Sequence, residues 1–568
     1  MDYSVLAETY GKLEAVSSKL KKTDILAELL VKTPDEQLPK VALLAQGIVY
    51  PRFTGYELGI AVQMMIRAIS KASGFSPSDI ENKFKRTGDL GLVAEECIKS
   101  RRQAVLLKKK LTIDKVFKNL QDLAFITGAG SQEKKLSLIA ELLVSAKPKE
   151  ARYIARTVLG ELRIGVAEGI IRDAIVKAFL FKENMDKEKK EELTAAVDYA
   201  WNLVSDFGEV AKVAKEKGIN GLRKARVHLG KPTYVMLAIK SESLEKLIKK
   251  YGKIAIEKKY DGARIIIHKK GSDFWLFTRR LEDVTKQFPD LVELARRCLK
   301  PKDCIVEGEM LGINSRTGYP LPFQTLSQRI HRKYDIDKMV KEIPVQMNLF
   351  DVVYLEGKML FDRSLKERRD VLEKIVKPVP EKFQLAEQLV TDDVKKAEKF
   401  YKKALKDRQE GVMVKVLGSP YIFGRHVEGW MKIKPVMESL DLVIVGATWG
   451  EGARAKWLTS YELACRDPDT GKLLRCGMMS TGLTEEGYKN MTERLKSLIV
   501  NEKGRKIKVK PKIVVEVKYQ EIQKSPNYES GFALRFPAFE KIRFEKSPED
   551  ADDINRVREL FKSQGARG

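Results

Sequence analysis

The sequence predicts three domains in series: an all-α domain over residues 1–230, an α+β domain with antiparallel sheets over 231–436, and a small C-terminal β-barrel of the OB-fold kind over 437–568. Length is the first observation behind this. A chain of 568 residues exceeds what one hydrophobic core organises and suggests about three or four domains. The second is a change of texture near residue 233, where helical periodicity gives way to short β-branched runs. The third is a further change after Pro435, into five or so strands within about 130 residues.

The helical reading rests on apolar residues spaced by three and four in "GYELGIAVQMMIRAISKA" (Gly55–Ala72) and "EKKLSLIAELLVSA" (Glu133–Ala146). "KPKEARYIARTVLGELRIGVAEGIIRDAIVKAF" (Lys147–Phe179) continues the pattern, broken at Gly160, Gly165 and Gly169. "HLGKP" (His228–Pro232) carries breaker residues and reads as a linker. Next come "KIAIEKK", "ARIIIH", "FWLFTRR", "DCIVEGEML", "VQMNLFDVVYL", "GVMVKVL" and "GWMKIKP", alternating with polar turns and a helix at Ser364–Val376. The last domain is read from "SLDLVIVGATWG", "SYELACRD" and "IVVEVKYQEIQ". There is no internal repeat and no low-complexity tract.

Composition narrows the function. Hydrophobic residues at 43% make the chain globular rather than disordered. Lys+Arg 106 against Asp+Glu 79 leaves +27, a charge that favours a polyanionic partner. No apolar run approaches about 20 residues, and the first residues form an amphipathic pattern rather than a signal-peptide core. Nucleic acid in the cytoplasm, with the protein associated with the nucleoid, is the expectation. Five scattered cysteines and four histidines without a CxxC pair argue against a zinc site or disulfide framework. Few cysteines with many Lys and Glu suit a thermophile.

"AIEKKYDGARIIIHKK" (Ala255–Lys270) carries the chemistry. On a strand, Glu257 and Lys259 share one face, and Ile254 and Ile256 the other. Asp261-Gly262 then reads as a hairpin turn that returns the chain into "ARIIIH". Alone, Lys-x-Asp-Gly is more often an exposed hairpin tip.

The following segments change that balance. "KKYDGAR" resembles the nucleotidyltransferase motif of ATP-dependent DNA ligases and mRNA capping enzymes. "FTRRLEDVT", "VEGEML", "NLFDVVYLEGKML", "EGVMVK", "WMKIKP" and "ALRFPAFEKIRFEKSPEDAD" resemble the later motifs of that superfamily, in the expected order. "TGDLGLVAEE" and "LGELRIGVAEG" are similar to the DNA-binding domain of archaeal and eukaryotic replicative ligases, which capping enzymes and RNA ligases lack. The resemblance covers nearly the whole chain. An RNA ligase or capping-type enzyme, and a non-catalytic DNA-binding protein, are the competing readings.

The resemblance implies nick sealing in three steps, with ATP as donor and Mg²⁺ (Mn²⁺ as the alternative) as metal. It makes Lys259 the nucleophile that becomes lysyl-AMP. A free lysine, with a pKa of about 10.4, must lose its proton to attack, and neighbouring cations favour this. Lys432 and Lys434 of the fifth motif, which share a strand face with Trp430, would supply that charge; the plain alternative is a solvated strand edge. The resemblance assigns Glu257 to the adenine amino group and Phe350 to stacking on the base. Arg264 and Arg279 go to ribose, phosphate or the nick's 5′-phosphate, and Glu309 and Glu410 to ribose and metal. Arg425 is assigned to ATP, although "GRHVEGWMK" puts His426 where the family has arginine. Arg543 and Lys546 would orient pyrophosphate, after a closure hinged near Lys434–Ser439. Arg156 and Arg163 are the candidate DNA-phosphate contacts. Nicked duplex DNA is the expected partner of a monomer. "RRQAVLLKKK" (Arg101–Lys110), with Gln103 ahead of apolar residues, is a degenerate sliding-clamp peptide whose competing reading is a plain loop or helix.

Overall fold

Helices build the first part of the chain, as the three-and-four spacing predicts. The computed structural model describes residues 1–568 apart from 102–108, 183–184, 242, 333, 408, 426–428, 436–438, 452–453 and 564–568. The clamp-like segment around Gln103, His426 and half of the expected hinge, residues 436–438, therefore lie outside the described residues. No helix among the described residues is long and apolar enough to cross a membrane. The chain divides into two compact units. One is Met1–Tyr401 with Val412–Ile433; the other is Lys402–Gly411 with Lys434–Gly568.

Local signals set the helix ends. Helix Pro77–Thr87 starts with Ser76 accepting from the Asp79 N–H and with proline in the first turn, and it stops at Gly88, whose φ of 65° suits glycine. Asp89 then caps helix Leu90–Lys99 by accepting from Gly91 and Leu92. That helix packs on Pro148–Val158 so closely that a Cβ on Gly91 would lie 2.8 Å from the Arg152 carbonyl oxygen.

The same Asp89 settles the place of Arg156, which corrects an expectation. Arg156 is only 3% exposed, and its guanidinium is held by Asp89 (2.6 Å) and Glu14 (2.9 Å). It braces three helices and presents nothing to a DNA phosphate. Arg163 is not a helix residue either. It sits in a turn at φ 57°, bonded to Glu161 and to the Gly88 carbonyl. Burial alone would raise the Asp89 carboxyl. Arg156 outweighs it by hydrogen bonds and charge, and holds Asp89 below the usual carboxylate range. Burial would also raise Glu14, which Arg156 and Tyr153 lower in the same way. A depressed carboxylate contributes stability that is full above its unfolded pKa near 4 and is lost as pH falls through the folded one. Arg156→Met is expected to cost about 2 kcal/mol at neutral pH, less than a wholly buried pair because Glu14 keeps some exposure. It should also flatten the acid limb below about pH 4. Urea unfolding at both pH values checks this; an unchanged neutral midpoint would contradict the bracing role.

The predicted linker is packed rather than loose. Gly230 donates its N–H to His268 Nδ1 at 3.3 Å, and Ser205 Oγ donates to the Pro232 carbonyl at 2.9 Å. Gly230 (φ 90°) lies against Trp275, where a Cβ would meet the indole at 3.1 Å. Leu203 and Val204 share one apolar layer with Met236, Ile266 and Trp430.

Two sheets follow. The chain enters the first with Ile239–Lys240, continues in β1 (Ile254–Lys259) and crosses to the second at β2 (Ala263–Lys270). It stays there through β3 (Asp303–Gly312) and β4 (Val345–Leu355), then returns to the first with Gln388–Thr391, β5 (Gly411–Val416) and β6 (Trp430–Ile433). The first sheet runs Gln388–Thr391, β1, β5, β6, Ile239–Lys240. In the second, β2 lies between Asp273–Thr278 and β3, and β3 pairs with β4. β1 and β2 are therefore not a hairpin. Asp261-Gly262 is a crossing between sheets, not the turn that alternation alone suggested. Odd positions of β2 (Ile265, Ile267) face a core containing Leu291, Leu294 and Cys298 of helix Pro289–Cys298. Even ones face the first sheet.

The second unit is a C-terminal sheet domain. β7 (Leu440–Trp449) pairs with β8 (Leu458–Arg466), which pairs with β9 (Leu473–Met479). On its other edge β7 pairs with β10 (Val514–Lys518), which pairs with β11 (Ala538–Ile542). Just past β9, Thr481 bridges to Ala538 and accepts from the Phe539 N–H at 2.8 Å. The ladder thus returns on itself around a core that includes Leu442, Tyr461, Leu463, Val515 and Val517.

Candidate active site

The alternation of β1 sends Glu257 and Lys259 to one side, as the sequence implies, but that side is the cleft between the sheets. Glu257, Lys258, Lys259, Tyr260, Arg264, Glu309, Phe350, Met413, Lys415 and Trp430 line a pocket there, with about 440 Å³ between its walls, part of it open to solvent. Cross-strand register places its floor: Arg264 opposes Glu309 and Ile266 opposes Glu307, while Lys415 opposes Trp430 and Met413 opposes Lys432.

Phe350 faces the cleft by alternation from Met347 and Leu349, and a bulge sits at this point of the strand. Glu307 pairs with Asp351 and Gly308 with Leu349, so Phe350 is an extra residue on β4; Val353 is a second one, between Val352 and Tyr354. Bulges of this kind re-aim side chains beside sites. Phe350 and Val353 lie on the cleft side, while Met347, Leu349 and Val352 lie in the opposite core. Phe350 is 9% exposed and meets Trp430 edge-on at 5.7 Å. The Arg264 guanidinium (5.2 Å) and the Lys415 ammonium (4.4 Å) already lie over its ring.

Charges in the cleft are buried in pairs. Lys415 is 1% and Glu257 2% exposed, and Lys415 Nζ is 2.6 Å from Glu257 Oε2. Gln388 Nε2 donates to the other oxygen at 2.8 Å. Burial pushes the Lys415 ammonium below the ordinary lysine range, against the pull of Glu257. Arg264 is paired with the fully buried Glu307, and it donates to the Met236 carbonyl at 2.5 Å; Tyr421 Oη donates to Glu307 at 2.6 Å. Glu307 is thus the buried counter-ion of Arg264. Neither Lys415 nor this Arg264–Glu307–Tyr421 network was singled out beforehand. A lysine inside the apolar alternation "VMVKV" was the available signal.

Three buried donors that line this pocket, Arg264 Nε, Lys415 Nζ and Trp430 Nε1, have no hydrogen-bond partner in the protein. Buried polar atoms are nearly always satisfied, so three convergent exceptions point to a polar ligand.

Other expected members lie elsewhere. Arg279 is not in the pocket. It is exposed on the turn after Thr278 and lines a separate cleft with Tyr56, Glu168, Tyr234 and Glu282. Lys432 lies beside Trp430 on the same strand face but outside the lining. Lys434 and Glu410 form an ion pair at 2.7 Å in the second unit. Arg425 pairs through its backbone with Leu237. Arg543 is held by Asp441 (3.1 Å) and Glu545 (2.6 Å), and Lys546 by Asp441 (2.6 Å). Among the described residues no cluster of three His, Cys, Asp or Glu could hold a metal by itself. The lining offers two carboxylates, Glu257, paired with Lys415, and Glu309, and a hard divalent cation that takes one or two carboxylates and completes its shell with phosphate oxygens and water fits such a set.

Gly262 explains the glycine of the lysine motif. A Cβ there would lie 2.3 Å from the Met310 carbonyl oxygen. Gly262→Ala is expected to shift the crossing and the amine next to it, lowering adenylate transfer to protein by roughly 10²-fold. Rates at saturating donor test this, and a wild-type rate would refute it.

Fold and site together describe a protein built to hold a polar ligand beside a lysine amine between two sheets. Three family models match it: a DNA ligase N terminus over residues 2–176, an ATP dependent DNA ligase domain over 235–434, and an ATP dependent DNA ligase C terminal region over 454–546. The DNA ligase of Nanoarchaeum equitans is 47% identical over 572 residues, spanning 99% of each chain. That of Archaeoglobus fulgidus is 44% identical over 565 residues, again 99% of each. A solved structure named Pmar-Lig_Pre shares the fold over 95% of this chain and 99% of its own, with TM-score 0.58 and 17% identity. The chain belongs to the archaeal-type family of ATP-dependent DNA ligases.

Proposed function

We propose that this ligase closes 5′-phosphate/3′-hydroxyl nicks in duplex DNA through an adenylate carried on Lys259. First, Lys259 Nζ gives up its proton and attacks the α-phosphorus of ATP. An N–P bond forms, the bond to the bridging oxygen breaks, and pyrophosphate leaves. Second, an oxygen of the nick's 5′-phosphate attacks that phosphorus, and the N–P bond breaks. Third, the 3′-hydroxyl attacks the 5′-phosphorus, forming the phosphodiester and releasing AMP. The observation that carries the assignment is the pocket itself, where Lys259 and Glu309 meet beside two buried donors without hydrogen-bond partners, Arg264 Nε and Trp430 Nε1, and a lysine, Lys415, held only by charge.

Glu257 receives the adenine amino group, Phe350 walls the base, and Arg264 Nε is turned to ribose or phosphate. Lys432 and Lys434 supply the positive field that favours a neutral amine, and Arg425 joins them. Glu309, with Glu410, holds Mg²⁺, or Mn²⁺ in its place; bound there, the ion would neutralise charge on the phosphates. Arg543 and Lys546 exchange their carboxylate partners for pyrophosphate after a closure of the second unit. We read that unit as an OB barrel, supported by the ladder that closes through Thr481 and Ala538. Domain boundaries at 230 and 436 follow from the linker and the start of the third texture. The helical domain, with Arg163 and the Arg279 cleft, holds the duplex through phosphate contacts. A cytoplasmic monomer, with a sliding clamp as a further partner, completes the reading.

Incubation with α-labelled ATP and Mg²⁺ should give acid-labile label on protein that is discharged by nicked duplex. Label that nicked DNA does not discharge would overturn the reading.

A further inference from the structure

Lys415 is the one buried cation of the pocket with no role so far, and its setting is unusual. Its Nζ is 2.6 Å from Glu257 Oε2 yet makes no well-aligned hydrogen bond, so the contact is between charges and leaves N–H groups unspent. The ammonium lies 4.4 Å from the centre of the Phe350 ring and 4.3 Å from that of Trp430. An acceptor and a donor therefore stand side by side at the aromatic end of the cleft. Gln388 holds the far oxygen of the carboxylate in place.

We propose that Lys415 reads the base edge of the nucleotide together with Glu257, donating to the ring nitrogen N1 while the carboxylate accepts from the neighbouring amino group. The inference rests on the reading of this pocket as the adenylate site. Adenine presents an amino donor next to an N1 acceptor. Hypoxanthine and guanine present an oxo acceptor next to an N1–H donor, so both contacts become mismatched at once. A site that hydrogen-bonds a substrate group discriminates strongly against analogues lacking it, because its own buried groups are left unpaired. A like-sized apolar residue at 415 would remove the N1 donor and the counter-charge of Glu257.

The test is lysyl-AMP formation by the full chain with ATP, ITP and 1-deaza-ATP, in which a C–H replaces N1. For the wild-type protein, kcat/KM should fall roughly tenfold or more from ATP to 1-deaza-ATP, mostly through KM. Lys415→Met should use ATP and 1-deaza-ATP about equally and should narrow the preference for ATP over ITP at least tenfold. A change in folding alone would lower all three rates together. Equal use of ATP and 1-deaza-ATP by the wild-type protein overturns the proposal even if the variant does not fold, as does a Lys415→Met variant that keeps both ratios. No adduct from ATP at all would instead defeat the reading of the pocket.

Discussion

Lys259→Ala is expected to leave no adenylate on the protein, a loss of roughly 10⁴-fold or more in the first step. The N–P bond has no other nitrogen to form on in the same place. Lys415 is held against Glu257, and Lys258 is paired with Glu387 at 2.6 Å. Lys259→Arg should do no better, since a guanidinium keeps its proton throughout the accessible pH range and has no lone pair to offer. The loss is specific to the first step. A nick that already bears AMP on its 5′-phosphate needs no lysine, so Lys259→Ala should still seal it in the presence of Mg²⁺. Gel assays of labelled protein and of pre-adenylated nicks separate the two. Substantial label on the alanine variant would mean that another residue is the nucleophile.

Asp351→Ala is expected to destabilise the two-sheet region by about 3–5 kcal/mol. Asp351 and Arg368 are both fully buried and form a forked pair at 2.8 and 3.1 Å. Arg368 also donates to the Arg363 carbonyl at 2.5 Å and the Ser419 carbonyl at 3.3 Å, and lies over the Tyr421 ring. The pair thus ties β4, helix Leu365–Ile375 and the loop before Tyr421, which in turn bonds Glu307. Removing one partner strands a charge with no access to water, whereas removing both does not. The double variant Asp351→Leu/Arg368→Leu should therefore be clearly more stable than the sum of the single losses predicts. Urea unfolding of the three variants decides it. A single-variant loss below about 1 kcal/mol would show that water reaches the pair.

Legibility of the sequence differed by kind of information. Strand alternation placed Glu257 and Lys259 on one face, because period two survives burial. It could not tell that β1 and β2 belong to different sheets, since a turn and a crossing use the same Asp-Gly. It could not see the bulge at Phe350, which depends on how β3 and β4 align. Arg156 was misjudged because its partners, Glu14 and Asp89, come from distant segments that no spacing rule connects. Lys415 was missed for the opposite reason: a lone lysine in an apolar strand looks like an edge residue until its neighbours on the sheet are known. Motif order carried the residues that face the cleft from both sheets, and it was silent on which charges are spent on one another.

The step of the chain from one sheet to the other, roofed at Gly262 by the Met310 carbonyl, ties reactivity to length rather than to composition. One residue inserted between Lys259 and Ala263 would leave every side chain of the cleft present and both ladders able to form. The slack would nonetheless let the amine drift from its partners, so this short span should tolerate replacement far better than extension.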